Sequence, residues 1–133
     1  MPLFGDASFF IALADPKDRW HDSAVRLLPW AEGRKPLHVH ALVLAEVVAV
    51  IGSAKGGKAA RAAYDALRTD ARVHLPSISD LDDSMELVVR FDGRLSLSDA
   101  LSLELMGRLG VREILSFDAD FDGKGVTRRI SPP

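Results

Sequence analysis

Cysteine is absent from this chain of 133 residues, which removes disulfides, thiolate metal sites and cysteine nucleophiles together. That composition suits a cytoplasmic protein. Long apolar runs are also missing. The most hydrophobic stretches are broken by Glu46, Arg90 or Glu104, so none approaches the roughly 18 residues of a membrane span. No membrane association is expected. The opening segment MPLFGDASFF has no basic region ahead of its apolar residues, and Asp6 interrupts them, so no signal peptide is expected. Nor is there an excess of positive charge. With 17 Lys and Arg against 19 Asp and Glu, bulk electrostatics do not make this a nucleic-acid binder. Repeats, linkers and low-complexity tracts are not seen either.

What remains is the composition of an ordinary globular protein, 47% hydrophobic and 27% charged. The length suits a single domain, residues 1–133, with one good core. Charge is uneven along it. Residues 1–75 carry a small basic excess, and residues 76–133 are acidic, partly through Asp118, Asp120 and Asp122. A metal bound at those residues would offset the acidity.

Periodicity divides the chain into alternating strands and helices. Met1 to Gly5 reads as a short buried strand ending at Asp6. A helical run follows and stops near Asp15-Pro16. Between Asp18 and Glu32, Trp20, Ala24, Leu27, Leu28 and Ala31 recur at helical spacing, with Pro29 placed to kink or close the helix. Leu37 to Val39 is a second strand. The run Ala41 to Ile51, apolar except for Glu46, is long for a strand and predicts a buried helix. Gly56-Gly57 separates it from an Ala-rich helix over Ala59 to Leu67. A strand over Val73 to Ile78 is limited to an edge or end by Pro76. Helices follow over Leu81 to Phe91 and Ser98 to Leu109, closed by Gly93 and Gly110. Glu113 to Phe117 and Val126 to Ile130 complete the strands. Such alternation implies an α/β protein with a central parallel sheet covered on both faces.

In that architecture four separated carboxylates, Asp6, Glu46, Asp99 and Asp118, converge. Ligands bind at the carboxyl ends of parallel strands, where Asp6 and Asp118 each follow an apolar run. Connecting helices run opposite to the strands, so their N-termini lie at the same end. Asp99 is in a first turn, with Ser96 or Ser98 as N-cap. Glu46 lies deeper, about 9 Å down its helix axis at 1.5 Å per residue, a gap that its side chain partly covers. Singly, each acid has a plainer explanation: helix-dipole complementarity for Asp99 and a turn for Asp118. Glu46 is harder to dismiss, since a buried Glu needs a partner. Together they form a hard-oxygen ligand set for a divalent cation, suited to metal-assisted hydrolysis of a phosphate ester.

Two other motifs fail at single residues. Gly52 to Lys58 has the spacing of a phosphate-binding loop, but Ala59 stands where a Ser or Thr hydroxyl would hold Mg²⁺. Asp118, Asp120, Asp122 and Gly123 imitate a calcium loop, but Arg129 occupies the position of its bidentate Glu.

Several segments resemble the PIN-domain nucleases, in particular VapC-type toxins of toxin–antitoxin pairs. They are Asp6-Ala7-Ser8, Asp18-Arg19-Trp20-His21-Asp22-Ser23-Ala24, Leu44-Ala45-Glu46-Val47, Leu97-Ser98-Asp99-Ala100-Leu101, and Ser116-Phe117-Asp118-Ala119-Asp120-Phe121-Asp122. Their order and spacing carry the resemblance across nearly the whole chain. It implies an α/β/α sandwich and a Mg²⁺- or Mn²⁺-dependent endoribonuclease. Asp6, Glu46, Asp99 and Asp118 carry over as catalytic acids and metal ligands, Asp120 as an extra ligand or supporting acid, and Ser8 and Ser116 as hydroxyls steadying them. His21 carries over as a structural residue, not a base. An RNA substrate, a cognate antitoxin and a homodimer are implied partners. A catalytically silent binding module of the same fold is the alternative. Lys17, Arg19, Lys55, Lys58, Arg61, Arg128 and Arg129 are candidates to meet an RNA backbone. Leu-Phe-Gly before Asp6 departs from the family's usual β-branched first strand.

Overall fold

Every strand pairing in the protein is parallel, which requires each strand to be followed by a crossover through another layer. A computed structural model describes residues 1–133. The order is β1 (Leu3–Gly5), α1 (Ala7–Ala14), α2 (His21–Glu32), β2 (Leu37–His40), α3 (Ala41–Lys55), α4 (Gly57–Asp70), β3 (Arg72–His74), α5 (Ile78–Arg90), α6 (Leu97–Leu109), β4 (Glu113–Leu115), a 3₁₀ turn (Ala119–Phe121) and β5 (Thr127–Arg129). The strands lie in the order β3-β2-β1-β4-β5.

That order explains the layers. The chain moves outward from β1 to β3, then returns past the starting strand to β4. Right-handed crossovers in opposite directions place their helices on opposite faces. The two cores agree with this. Leu3, Val39 and Leu115 point into a core shared with α1, α2, α3 and α4. Phe4 and Ile114, one residue out of phase, point into a second core built on α6 and closed by Phe121. Period-two alternation in very short strands therefore supplies both faces of the sandwich. No helix is long and apolar enough to cross a membrane.

The element bounds differ from the sequence expectation mainly at the ends. The third strand runs from Arg72 to His74 rather than from Val73 to Ile78. Pro76 cannot donate to a ladder, and Ser77 then begins α5 with a reciprocal capping box to Asp80. Pro29 lies within α2, which continues to Glu32. The Gly52 to Lys58 segment joins two helices, with Gly56 at φ +92° between them, so no strand feeds a phosphate loop there. Gly5, the unusual residue of the first strand, has a packing reason. A Cβ on it would stand 2.5 Å from the Phe10 ring, so the aromatic occupies the space that a β-branched side chain would take.

Candidate metal centre

Between β1 and β4 the connectivity switches direction, and the crevice outside their carboxyl ends is where an open parallel sheet offers a binding site. Asp6 follows β1 and occupies the N-cap position of α1 in an extended conformation, its carboxylate making no capping bond to the helix. Ser116 and Asp118 follow β4. Asp99 is in the first turn of α6, whose N-cap is Ser96. The Asp99 N–H donates to the Ser96 hydroxyl at 3.1 Å. One carboxylate oxygen from each of Asp6, Asp99 and Asp118 lies within 4.8 Å of the other two. Glu46 and Asp120 line the same cleft of about 450 Å³, outside that tight group.

Two serines fix the centre of the cluster. The hydroxyls of Ser8 and Ser116 both donate to Asp6 Oδ2, each at 2.8 Å. Each hydroxyl also accepts a backbone N–H, from Phe117 at 2.9 Å and Asp118 at 3.0 Å respectively. A hydroxyl has one proton, so these bonds determine both rotors and join the loops after β1 and β4. The Asp6 N–H donates to the Leu115 carbonyl at 3.0 Å, continuing the sheet to the edge of the site. Asp118 accepts from the Asp120 N–H at 2.9 Å and so caps the 3₁₀ turn. Asp122 is drawn away by Arg128, which makes two bonds to it at 2.9 and 3.0 Å.

The cluster carries an electrostatic cost. Burial raises the Asp6 carboxyl above its ordinary range, against the lowering effect of its hydroxyl donors, and Asp118 adds to the rise. Glu46 is on the exposed side of α3, whose buried residues are Val43, Val47 and Ile51, so the helix is not buried all round as the sequence suggests. Its carboxyl is still raised by partial loss of water and then by Asp6 and Asp118. Asp99 is pushed up to about 7, first by burial and then by repulsion from Asp6 and Asp118. All donors are hard oxygens, and no cationic side chain forms an ion pair with Asp6, Glu46, Asp99 or Asp118. A divalent cation fits this donor set on both counts.

His21 lies outside the cluster. Its Nδ1–H donates to the Ala12 carbonyl at 2.7 Å, tying α2 to α1 as a structural residue would. Trp20 stacks on Phe117 with centroids 5.0 Å apart, bracing the residue next to Asp118. Among the basic candidates, Lys55, Arg61, Arg128 and Arg129 are paired with Asp15, Asp65, Asp122 and Glu113. Lys17, Arg19 and Lys58 form no such ion pair. Arg94 is not among the residues that the sequence singles out. It lines the acidic cleft from the turn before α6, and the only signal for it in the sequence is its position shortly before Asp99.

The comparisons with known proteins agree with this geometry. Residues 3–126 match the PIN domain family. The chain is 33% identical over 126 residues, covering 92% of it and 94% of the relative, to the 23S rRNA-specific endonuclease VapC20 of Mycobacterium tuberculosis. The crystal structure of M. tuberculosis VapC20, described as a sarcin–ricin loop cleaving toxin, superposes with a TM-score of 0.83 at 32% identity. That match covers 94% of this chain and 96% of that one. VapBC2 from Rickettsia felis, solved on a DNA fragment from its promoter, shares the fold at a TM-score of 0.72 and 10% identity, over 97% of this chain and 98% of that one.

The raised Asp99 carboxyl has a consequence for the metal-free protein. Its folded pKa exceeds the ordinary 3.8, so the folded state binds the proton more tightly than the unfolded state. The stability this contributes is complete below that ordinary value and is lost as pH rises through about 7. In EDTA, Asp99→Asn should therefore raise the melting temperature at about pH 8 by on the order of 5 °C and change it little near pH 4. Thermal scans at both pH values check this, and a lowered melting temperature at the higher pH would contradict it. Taken together, the residues matched, the sandwich and the identity to VapC20 show that this chain belongs to the PIN-domain family, among its VapC-type members.

Proposed function

We propose that the chain is a Mg²⁺- or Mn²⁺-dependent endoribonuclease, the toxin of a toxin–antitoxin pair acting in the cytoplasm. The observation that carries this reading is the group formed by Asp6, Asp99 and Asp118. Three carboxylates from three separate elements are gathered within 4.8 Å at the switch point of the sheet. A cluster that repels itself in this way without a cation serves metal chemistry better than stability.

Asp6, Asp99 and Asp118 would hold the ion, with Glu46 as the fourth acid and Asp120 as an outer one. The chemistry such an ion supplies is polarisation of the scissile phosphate and a lowered pKa for water near neutral pH. The protein's own share is positioning. Ser8 and Ser116 commit their protons to Asp6 Oδ2, so Oδ1 has no side-chain hydrogen-bond donor competing for it. The buried floor beneath, with Leu115 fully inaccessible and Phe117 nearly so, closes the cleft on its inner side. Arg94 would meet a substrate phosphate from the rim, since phosphate contacts position a nucleic acid without reading its sequence. By its relationship to VapC20, the proposed substrate is a structured loop of 23S-type ribosomal RNA.

Purified protein should cleave ribosomal RNA in Mg²⁺ or Mn²⁺ and lose that activity in EDTA. Asp6→Asn and Asp99→Asn should each lower the rate by about 100-fold or more, and Ser116→Ala by about 10- to 100-fold, as expected for a residue supporting a ligand. Cleavage that survives chelation or the Asn variants would overturn the metal-nuclease reading. It would leave the fold to serve as a catalytically silent binding module.

Two apolar surfaces support the proposed partners. A groove of about 420 Å³ between α1, α2, α3 and α4 is lined by 15 hydrophobic residues out of 18. We assign it to an amphipathic helix of the antitoxin. Support comes from the fold shared with solved toxin–antitoxin assemblies, such as the Klebsiella pneumoniae complex with its TM-score of 0.68 at 21% identity, over 96% of each chain. Leu75, just before α5, and Ile78 and Val89 on α5 stand 83%, 74% and 73% exposed, apolar surface of the kind that marks an interaction site when it is contiguous. A second copy of this chain would cover them. Light scattering should give a dimer for the wild type and a monomer for Val89→Glu. Ala66→Glu, at an exposed position in the groove, should remain dimeric yet bind the antitoxin about 10-fold or more weakly. A wild-type monomer, or full antitoxin binding by Ala66→Glu, would count against these assignments.

A further inference from the structure

Glu46 and Asp99 face one cleft from opposite sides of the sheet. Helix α3 packs mainly into the first core and α6 into the second, with Leu42 at the start of α3 packed against the second core as well. The polar link between these layers is His40, the last residue of β2 and the N-cap of α3. It is fully buried. Its Nδ1 accepts the backbone N–H groups of Leu42 at 3.2 Å and Val43 at 3.3 Å. An accepting Nδ1 is unprotonated, so the proton of the neutral ring is on Nε2. That Nε2–H points at the Ser98 carbonyl, next to Asp99, and at the Ser102 hydroxyl, each 2.9 Å away. Ser102 donates in turn to the same carbonyl at 3.2 Å. No other side-chain hydrogen bond joins β2 or α3 to α6.

Capping alone does not call for this residue. Ser, Thr, Asn and Asp are the usual N-caps and are smaller. None of them spans from the start of α3 to the first turn of α6. We propose that His40 is a positioning residue that clamps the helix carrying Glu46 to the helix carrying Asp99, setting the width of the acidic site through its Nε2–H to Ser98. This rests on the metal-nuclease reading of the same cleft. Burial above all holds the ring's pKa down to about 4, against the raising effect of the Ser98 carbonyl, so the ring is neutral near neutral pH, as the clamp requires.

The test separates cap from clamp. His40→Asn keeps a side-chain acceptor for the α3 N–H groups but is too short to reach Ser98. Calorimetric Mn²⁺ titration, circular dichroism and RNA-cleavage kinetics are compared with the wild type. The expected result is a folded variant with Mn²⁺ affinity and kcat each lowered about 10-fold and with KM for RNA nearly unchanged. A folded variant with wild-type Mn²⁺ affinity and kcat would overturn the inference, since a purely structural role predicts only a lower melting temperature. Absence of Mn²⁺ binding by the wild type would overturn the metal-nuclease reading and the clamp with it. A second measurement does not depend on the variant folding. Long-range ¹H–¹⁵N spectra of the wild type should show His40 protonated at Nε2 alone, with its ring signals moving on addition of Mg²⁺. An Nδ1-protonated ring, or signals indifferent to Mg²⁺, would refute the clamp.

Discussion

Repulsion among closely gathered carboxylates, Asp6 and Asp99 buried and Asp118 half-buried, is the constraint on which the rest of this structure turns. Asp6, Asp99 and Asp118 are held within 4.8 Å, closer than like charges settle when free to move apart. Asp6 is pinned by two hydroxyls, Asp99 by the first turn of a helix buried in the second core, and Asp118 by the 3₁₀ turn it caps. Each restraint comes from a different part of the chain. The parallel sheet makes their meeting possible, because strand ends and the starts of returning helices share one edge. The price of the arrangement is a site that favours protonation when no cation is bound.

Much of this arrangement is legible in the amino-acid sequence. The strand ends at Asp6 and Asp118, and the helix start at Asp99, follow from apolar runs, caps and the direction rule for parallel sheets. The serine partners are visible only through the family resemblance, because a hydroxyl two residues from an acid is common in any loop. Glu46 is recognisable as an acid stranded in an apolar helix, but its place outside the tight group is not. Helical phase sets the face of a residue, whereas distance depends on how the layers pack. Arg94 and His40 escape a reading of the sequence for the same reason. The cleft that Arg94 borders is made by residues distant in sequence, and His40 at the end of β2 looks like an ordinary core histidine until Ser98 and Ser102 are beside it.

The two layers also divide the labour. The α1–α4 face carries the first core and the open apolar groove, while the α5–α6 face carries the second core and the exposed apolar stripe. The acids lie along the sheet edge between them.

The central claim is that the carboxylates are gathered for a cation. Crystals grown with Mn²⁺ and measured at its absorption edge test it most directly. The account predicts an anomalous peak bounded by the carboxylates of Asp6, Asp99 and Asp118, absent from crystals of Asp99→Asn prepared identically. A wild-type cleft without such a peak, or a peak bounded by other residues, would contradict it.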